Sequence, residues 1–316
     1  GKNRIELKHN NDITKKSELD KFKELEGKKA TVLTTKSKQS LIPPFPFDLT
    51  TLQTEAYKFF SITPSQTLSI AQKLYLSGLI SYPRTSSQKI PDVMKPLEII
   101  RKLERNFQEL TKYTTRQKPV EGTKSDTAHP AIIPTGNIQR LEEQDNKIFE
   151  LIVKRFISCF CDNADLENKK IELEVNKLKF SLRGMEIKKD GWMKVYPARM
   201  EEKEISDMNG EVKIEKVIFE EKETKPPKRY SPASIITELE KRNLGTKATR
   251  ANILETLYSR NYIKDKSIKA TELGIKLIDS LKKHSPIIID EKLTREMEKD
   301  LDNIRNSKKN LEEKEK

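Results

Sequence analysis

The chain has 316 residues, of which 34% are hydrophobic and 35% charged, and its 62 Lys and Arg against 49 Asp and Glu give a formal net charge of +13. It contains no run of about 18 apolar residues and no signal-like amino terminus, so membrane insertion and secretion are disfavoured and a cytoplasmic protein is expected. The positive charge favours a polyanionic partner such as nucleic acid, and the low apolar fraction suits two to three small domains.

The first segment is charged and then strand-like, with residues 29–35 rich in Thr, Val and Leu. A proline-rich joint at 43–46 signals a boundary. From there to residue 167 the apolar residues recur with a mainly helical period. Cys159 and Cys161 lie at the end of one such helix, at a spacing that predicts buried thiols and no metal site.

The clearest helix begins with a Thr-Pro-Ser-Gln capping box at residues 63–66. Leu68, Ala71, Leu74 and Tyr75 follow at helical spacing, and a glycine then marks the end of the helix. The tyrosine four residues after that glycine should therefore be exposed on a turn, which the next residue, a proline, stiffens.

This tyrosine, Tyr82, lies two residues before Arg84, an arrangement that suits attack on a phosphodiester. A phenol has a pKa of about 10, so only about one in a thousand is ionised at neutral pH, and a neighbouring guanidinium would favour the phenolate and hold a phosphate oxygen. Tyr82 is therefore a candidate nucleophile. The alternative is an ordinary half-buried tyrosine with a structural role.

A second candidate is His129, which follows the polar residues Lys124, Ser125 and Asp126 and precedes a proline. A histidine in such a loop is either structural or, beside a phosphate, a hydrogen-bond donor or proton carrier.

Alternation of apolar and polar residues between 170 and 219 indicates antiparallel strands, most clearly at 171–175 and 212–217. After a Lys-Pro-Pro joint at 225–227 the pattern is that of a helix-turn-helix unit. Its first helix starts at Ser231 and breaks at Gly245, and a second helix, a short strand-like segment and a further helix follow up to residue 283. The charged tail from residue 291 predicts a solvated helix that frays.

This last unit either contacts DNA, with Lys247, Arg250 and Arg260 available to phosphates, or is a plain helical packing module.

Five blocks of the sequence together resemble the type IA DNA topoisomerases, in the family's order and across most of the chain. Residues 78–85, Gly-Leu-Ile-Ser-Tyr-Pro-Arg-Thr, are similar to the family's active-site motif. The proline after Tyr82 and the one after His129 are closer to the archaeal and topoisomerase III-like branch. The other blocks are Pro-Phe-Asp-Leu-Thr-Thr-Leu-Gln at 46–53, Ala-His-Pro-Ala-Ile-Ile-Pro-Thr at 128–135, Asp-Gly-Trp-Met-Lys-Val at 190–195, and Tyr-Ser-Pro-Ala-Ser at 230–234 leading to Gly-Thr-Lys-Ala-Thr-Arg at 245–250.

The resemblance implies an α+β multidomain arch. Residues 1–42 and 168–226 would form a discontinuous β-rich domain, and residues 43–167 would form an active-site domain inserted between its two parts. Residues 227–316 would form a helix-turn-helix-like domain that binds DNA.

The implied reaction is two transesterifications on single-stranded DNA. Tyr82 would become linked to a 5′ phosphate and release a 3′ hydroxyl, while Arg84 and His129 stabilise the phosphoryl oxygens. Because the tyrosyl ester retains the phosphodiester energy, strand passage, resealing and relaxation of negative supercoils would need no ATP.

Residue by residue, the resemblance places Thr249 and Arg260 on DNA-contacting positions, whereas Arg250 departs from the bacterial pattern. Lys124, Lys247 and Arg250 are assigned to DNA by their charge and place in the chain.

The family also carries a Toprim domain whose glutamate and Asp-x-Asp cluster bind Mg²⁺. The sole Asp-x-Asp in this sequence, Asp300-Leu301-Asp302, lies in the charged tail without a preceding apolar strand. Mg²⁺ ligands are therefore expected on a Toprim domain or partner chain, with none here. Gly1 in place of methionine suits a fragment, and this chain alone is expected to bind DNA but to cleave it poorly.

Two other functions stay open. One is the topoisomerase part of a reverse gyrase, which couples ATP to positive supercoiling, although the chain has no Walker-type loop. The other is a non-catalytic DNA-binding scaffold, against which the combination of Tyr82, Arg84 and His129 argues. In each case the chain would act with DNA at the nucleoid.

Overall fold

In a computed structural model, which describes residues 4–126, 128–198 and 200–314, the chain divides into two compact units. The side chain of Asp302, in the Asp-x-Asp of the tail, lies outside the described part. The sheet-containing unit comprises Gly1–Pro43, Tyr113–Arg116 and Phe160–Pro226. The helical unit comprises Pro44–Lys112, Gln117–Cys159 and Pro227–Lys316. The α+β prediction is confirmed.

The sheet-containing unit is built on five antiparallel strands in the order β1-β4-β3-β2-β5. The strands are β1 (Lys8–His9), β2 (Lys29–Leu41), β3 (Ala164–Val175), β4 (Leu178–Lys189) and β5 (Gly210–Lys213). The pairing of β2 with β3 runs without a break from Thr31 opposite Glu174 to Leu41 opposite Ala164.

One face of this sheet is covered by apolar side chains. Val32, Ile171 and Leu173 are buried there together with Phe22 of the short helix α1 (Asp20–Lys23) and with Leu25, which follows it. The alternation in the sequence thus reflects one buried and one solvated face.

The strand predicted at 212–217 is shorter than expected, because β5 ends at Lys213. Ile214 still exchanges backbone hydrogen bonds with Gly27 and Lys28. Gly27 has a φ of +78°, so the chain turns just before β2 begins. Beyond Lys213, β5 therefore has no extended part of β2 with which to pair. At the other end of the region, β3 begins at Ala164, inside the segment whose pattern was predicted to be mainly helical.

In the helical unit, α3 packs against its neighbours α2 and α5. The first four helices are α2 (Leu49–Phe60), α3 (Pro64–Leu76), α4 (Pro96–Thr111) and α5 (Glu143–Ser158). Leu52, Ala71, Leu74, Ile152 and Phe156 are buried in this core. The apolar spacing of the sequence therefore identified the faces that pack.

The carboxyl-terminal part of the same unit forms the predicted helix-turn-helix, followed by a hairpin. Its elements are α6 (Pro232–Lys241), α7 (Arg250–Ser259), β6 (Ile263–Lys264), β7 (Lys269–Ala270), α8 (Glu272–His284) and α9 (Glu291–Lys314). A capping box at Ser231 starts α6, and Gly245, with a φ of +65°, lies in the turn before α7. Among the described helices, none has the length and apolar character to cross a membrane.

Candidate active site

A fixed exit from α3 positions the segment that carries the candidate nucleophile. The predicted capping box is present, with Thr63 Oγ1 accepting the backbone N–H of Gln66. After the helix, Gly78 has a φ of +69°, a left-handed conformation that favours glycine. Its carbonyl accepts hydrogen bonds from Thr135 Oγ1 at 2.7 Å and Asn137 Nδ2 at 3.1 Å. These hydrogen bonds therefore fix the path of the backbone where it leaves α3.

Backbone pairing then places the tyrosine loop (residues 79–87) beside the histidine loop (residues 128–138). Ser81 N–H donates to the Ile133 carbonyl at 2.9 Å, while Ser81 Oγ donates to the Ala131 carbonyl at 2.7 Å and accepts the Ile133 N–H at 2.9 Å. Ile80 and Pro134 form an antiparallel bridge next to these bonds. Because Ser81 is buried, water does not compete for them, and the two loops are held in register.

Tyr82 lies between two aromatic rings. Its ring centroid is 4.6 Å from that of His129, with an interplanar angle of 51°, and 5.2 Å from that of Tyr75, with an angle of 73°. The side chain is half-buried rather than fully exposed as predicted, because Tyr75 projects beside it instead of into the core. A phenol held in this way has an imidazole within reach of a phosphate bound at its oxygen.

Arg84 supplies hydrogen-bond donors two residues after Tyr82. Its Nε is buried and has no hydrogen-bond partner among the described residues. The side chain lines a cleft of about 560 Å³ together with polar and leucine side chains of α3 and with Asn252 of α7. Because Nε itself has almost no exposed surface, a phosphate in the cleft would meet Arg84 through the other nitrogens of its guanidinium group.

Thr85 ties the two loops together a second time. Its buried Oγ1 donates to the His129 carbonyl at 3.4 Å and accepts the Ser87 N–H at 3.0 Å. Its carbonyl accepts the N–H of Leu49 at the start of α2, at 3.0 Å. No role was predicted for Thr85 from the sequence, although it is part of the motif that contains Tyr82 and Arg84.

Asp126 connects the tyrosine loop, the histidine loop and the turn before α7. Its Oδ2 accepts the N–H and the Oγ–H of Ser86, both at 3.4 Å, and pairs with Lys247, while Oδ1 accepts the Ala128 N–H at 3.0 Å. Burial opposes ionisation of this carboxyl, but Lys247 and the amides of Ala128 and Ser86 outweigh it and hold the pKa of Asp126 well below its ordinary value. Sequence reasoning noted Asp126 only as a polar neighbour of His129, since no local pattern reveals its pairing with Lys247.

We expect Asp126→Asn to destabilise the helical unit by about 1–3 kcal/mol at pH 7, because Lys247 loses its counter-charge and the amides lose a charged acceptor. The pKa of Asp126 is lower in the folded than in the unfolded chain. Its contribution is therefore fully present above about pH 4 and is lost as the pH falls further. Urea unfolding followed by helical circular dichroism at neutral and acid pH measures this difference.

The matched control is Asp92→Asn, which makes the same charge change at an exposed position in the same unit. An equal loss of stability in the two variants, or a loss that does not shrink in acid, would contradict this role of Asp126.

Lys124 is also held by carboxylates. Its Nζ lies 3.2 Å from Asp48 Oδ2 and 3.0 Å from Glu240 Oε1. Burial alone would lower the pKa of Lys124, but Glu240 and Asp48 raise it on balance. Lys124 and Lys247, both predicted to bind DNA, are thus already paired, so a phosphate would compete with these carboxylates.

The other predicted DNA contacts lie on or beside α7. Thr249 is exposed at its N-cap, and Arg260, exposed at its C-cap, makes no side-chain ion pair within the described residues. Arg250 Nε donates to the Leu244 carbonyl at 3.0 Å, and burial lowers the pKa of Arg250. Asn252, at the Arg84 cleft, and Arg260 are separated by about 12 Å of helix. The structure therefore brings the start of α7, and not its end, to Arg84.

Within the described part of the chain, no group of three or more His, Cys, Asp or Glu side chains is arranged to hold a metal ion. Cys159 and Cys161 are buried thiols, as predicted, and burial raises the pKa of Cys161 to about 12.

Comparison with known proteins yields concordant matches. The sequence profile of the DNA topoisomerase family matches residues 2–314. DNA topoisomerase 1 of Methanocaldococcus jannaschii is 45% identical over 307 residues, which cover 93% of this chain and 40% of the relative. For DNA topoisomerase 1 of Methanothermobacter thermautotrophicus the identity is 45% over 273 residues, or 84% of this chain and 38% of the relative. The chain thus spans less than half the length of either curated relative.

Among solved structures, full-length topoisomerase I from Thermotoga maritima matches with a TM-score of 0.76 and 28% sequence identity. The match covers 96% of this chain and 53% of that chain.

Proposed function

The chain belongs to the type IA DNA topoisomerase family, and from this premise we propose that it carries the nucleophile of a site that transiently cleaves single-stranded DNA. The observation that carries the proposal is the placement of the Tyr82 ring against His129, with the unpaired guanidinium nitrogen of Arg84 two residues away.

In the proposed reaction, Tyr82 Oη loses its proton and forms a bond to the phosphorus of the DNA backbone. The bond from phosphorus to the 3′ oxygen breaks, and that oxygen takes up a proton and leaves as a hydroxyl. Arg84 donates to a phosphoryl oxygen, where negative charge accumulates, and His129 donates a hydrogen bond or assists the proton transfer. The reverse attack reseals the strand without ATP, and strand passage between the two steps would relax negative supercoils.

Thr85 and Asp126 serve this reaction by position. Both connect the tyrosine loop to the histidine loop, through the His129 carbonyl in one case and the Ala128 N–H in the other. Two groups that act on one phosphate need a fixed separation, and these bonds supply it.

In this proposal, a Toprim domain outside the described residues would bind Mg²⁺ and complete the site. Mg²⁺ would help to neutralise the phosphate, and its ligands are not assigned on this chain. DNA is the partner, which places the protein at the nucleoid. The reverse gyrase and scaffold alternatives have no specific observation in their favour.

The test is incubation of the chain with labelled single-stranded DNA and Mg²⁺, with and without a separately expressed Toprim domain of a type IA enzyme. We expect a covalent adduct only when the Toprim domain is present, and peptide mapping should locate it on Tyr82. Efficient cleavage by the chain alone would overturn the split-site proposal. Tight binding without an adduct in either mixture would instead support the scaffold.

A further inference from the structure

A second cleft of the helical unit lies along α4, and none of the residues assigned to the proposed reaction lines it. We name it the α4 basic cleft. It has a volume of about 540 Å³, and its walls are Arg101, Lys102, Arg105 and Asn106 on one side and residues 136–138 on the other.

The sequence of α4 explains why cations gather there. Ile99, Ile100 and Leu103 are buried, so they fix which face of the helix packs against the unit. Arg101, Lys102 and Arg105 lie outside that face and are exposed. Positions 101 and 105 are one helical turn apart, so their side chains are neighbours.

Gly136 makes the opposite wall close enough to form a cleft. Its φ is +88°, and a Cβ built on it would lie 2.8 Å from Lys102 Cδ and 2.9 Å from Lys102 Cβ. Such distances are shorter than van der Waals contact allows, so the loop can approach the stem of Lys102 only because residue 136 is glycine.

The cations of this cleft are not held in ion pairs within the part of the chain that the structure describes, although Glu98 and Glu104 lie on the same helix. Among the described residues, Arg101, Lys102 and Arg105 form no ion pair, whereas Lys124 and Lys247 are both held by carboxylates. Three cations around one concavity repel each other, and a polyanion would relieve that repulsion while releasing its own counterions.

The loop of the cleft is also the loop of the active site. Gly136 and Asn137 belong to the same histidine loop as His129. Asn137 Nδ2 also donates to the carbonyl of Gly78, where the chain leaves α3. Residues 129 and 136 are at most about 25 Å apart even if the chain between them is fully extended. One bound DNA strand can therefore reach both places.

We propose that the α4 basic cleft binds the phosphodiester backbone of single-stranded DNA at a second place, away from the phosphate that Tyr82 attacks. Arg101, Lys102 and Arg105 contact phosphate oxygens and do not read the bases. The inference deepens the proposed function, since it assumes that the ligand of Tyr82 is a DNA strand.

The first test is binding of a fluorescent single-stranded 30-mer over a range of salt concentrations, using R101A/K102A/R105A. Each phosphate contact to a single strand adds about 0.7 to the magnitude of the negative slope of log K against log salt. We therefore expect this magnitude to decrease by about 2 in the triple variant. The affinity at 0.1 M salt should decrease about 10- to 100-fold. The matched control is K15A/K16A/K21A, which removes three exposed cations from the sheet-containing unit. Equal losses in the two triple variants would overturn the proposal.

The second test places a photo-crosslinker on Asn106→Cys, where the buried native thiols do not compete for the label. We expect a crosslink to the DNA strand well above that from the same group at Lys21→Cys, and equal yields would contradict the cleft as a binding site. Both tests read binding without Mg²⁺ or a Toprim domain, so a failure of the cleavage proposal would not obscure them.

Discussion

Replacement of Tyr82 by phenylalanine will abolish covalent attachment to DNA and leave DNA binding nearly unchanged. The substitution removes the nucleophilic oxygen and keeps the ring that packs between His129 and Tyr75. Within the described residues the Tyr82 hydroxyl makes no hydrogen bond, so its loss should cost the fold little. Loss of a nucleophile commonly lowers a rate by about 10⁴-fold or more, which puts the adduct below detection.

The adduct assay with the Toprim domain, run beside an anisotropy titration with single-stranded DNA, separates chemistry from binding. Tyr75→Phe is the matched control, because it removes the same atom from the neighbouring ring. It should retain cleavage within a factor of about 3. A Tyr82→Phe protein that still forms an adduct would place the nucleophile elsewhere.

Arg84→Ala should lower the cleavage rate by about 10²- to 10³-fold, the usual effect of removing one donor to an oxyanion in an enclosed site. Binding of DNA should weaken far less, since the cations of the proposed α4 basic cleft are retained. Arg84→Lys should restore part of the rate, because an ammonium keeps the charge but not the planar guanidinium geometry.

Single-turnover cleavage with the Toprim domain present measures this effect, and Arg140→Ala serves as control because it removes an exposed arginine from the same unit. If Arg84→Ala and Arg140→Ala cleaved at similar rates, Arg84 would have no role in the chemistry. Arg84→Ala should also not destabilise the unit, since Nε has no partner to lose among the described residues.

Local signals in the sequence were sufficient where one segment determines its own structure. The capping box at Thr63 and the helix start at Ser231 were predicted from a few neighbouring residues, and both helices begin there. The strand in 171–175 followed from alternation alone, because one face of the sheet is buried. The placement of Tyr82 on a turn after α3 followed from Gly78 in the same way.

What the sequence did not reveal depends on contacts between distant segments. The pairing of Asp126 with Lys247 and of Lys124 with Glu240 joins residues whose local sequences carry no sign of each other. The spacing of Tyr75 assigned it to the helix, but its contact with Tyr82 depends on the turn that follows the helix. Similarly, β5 stopped early because its partner turns at Gly27.

The register of the sheet also has a consequence for how the protein is made. Strand β2 pairs with β3 from Thr31 opposite Glu174 to Leu41 opposite Ala164. On the ribosome, β2 is synthesised long before β3. Helices α2 to α5 are synthesised in the interval, and their contacts are closer in sequence than those of the sheet, so they are expected to pack first. The second half of β2 contains Lys36 and Lys38 as well as several hydroxyl side chains. Charged side chains of this kind oppose the pairing of an exposed strand edge with a strand of another chain. A nascent chain released before β3 is complete would present β2 as an open edge and become a substrate for chaperones.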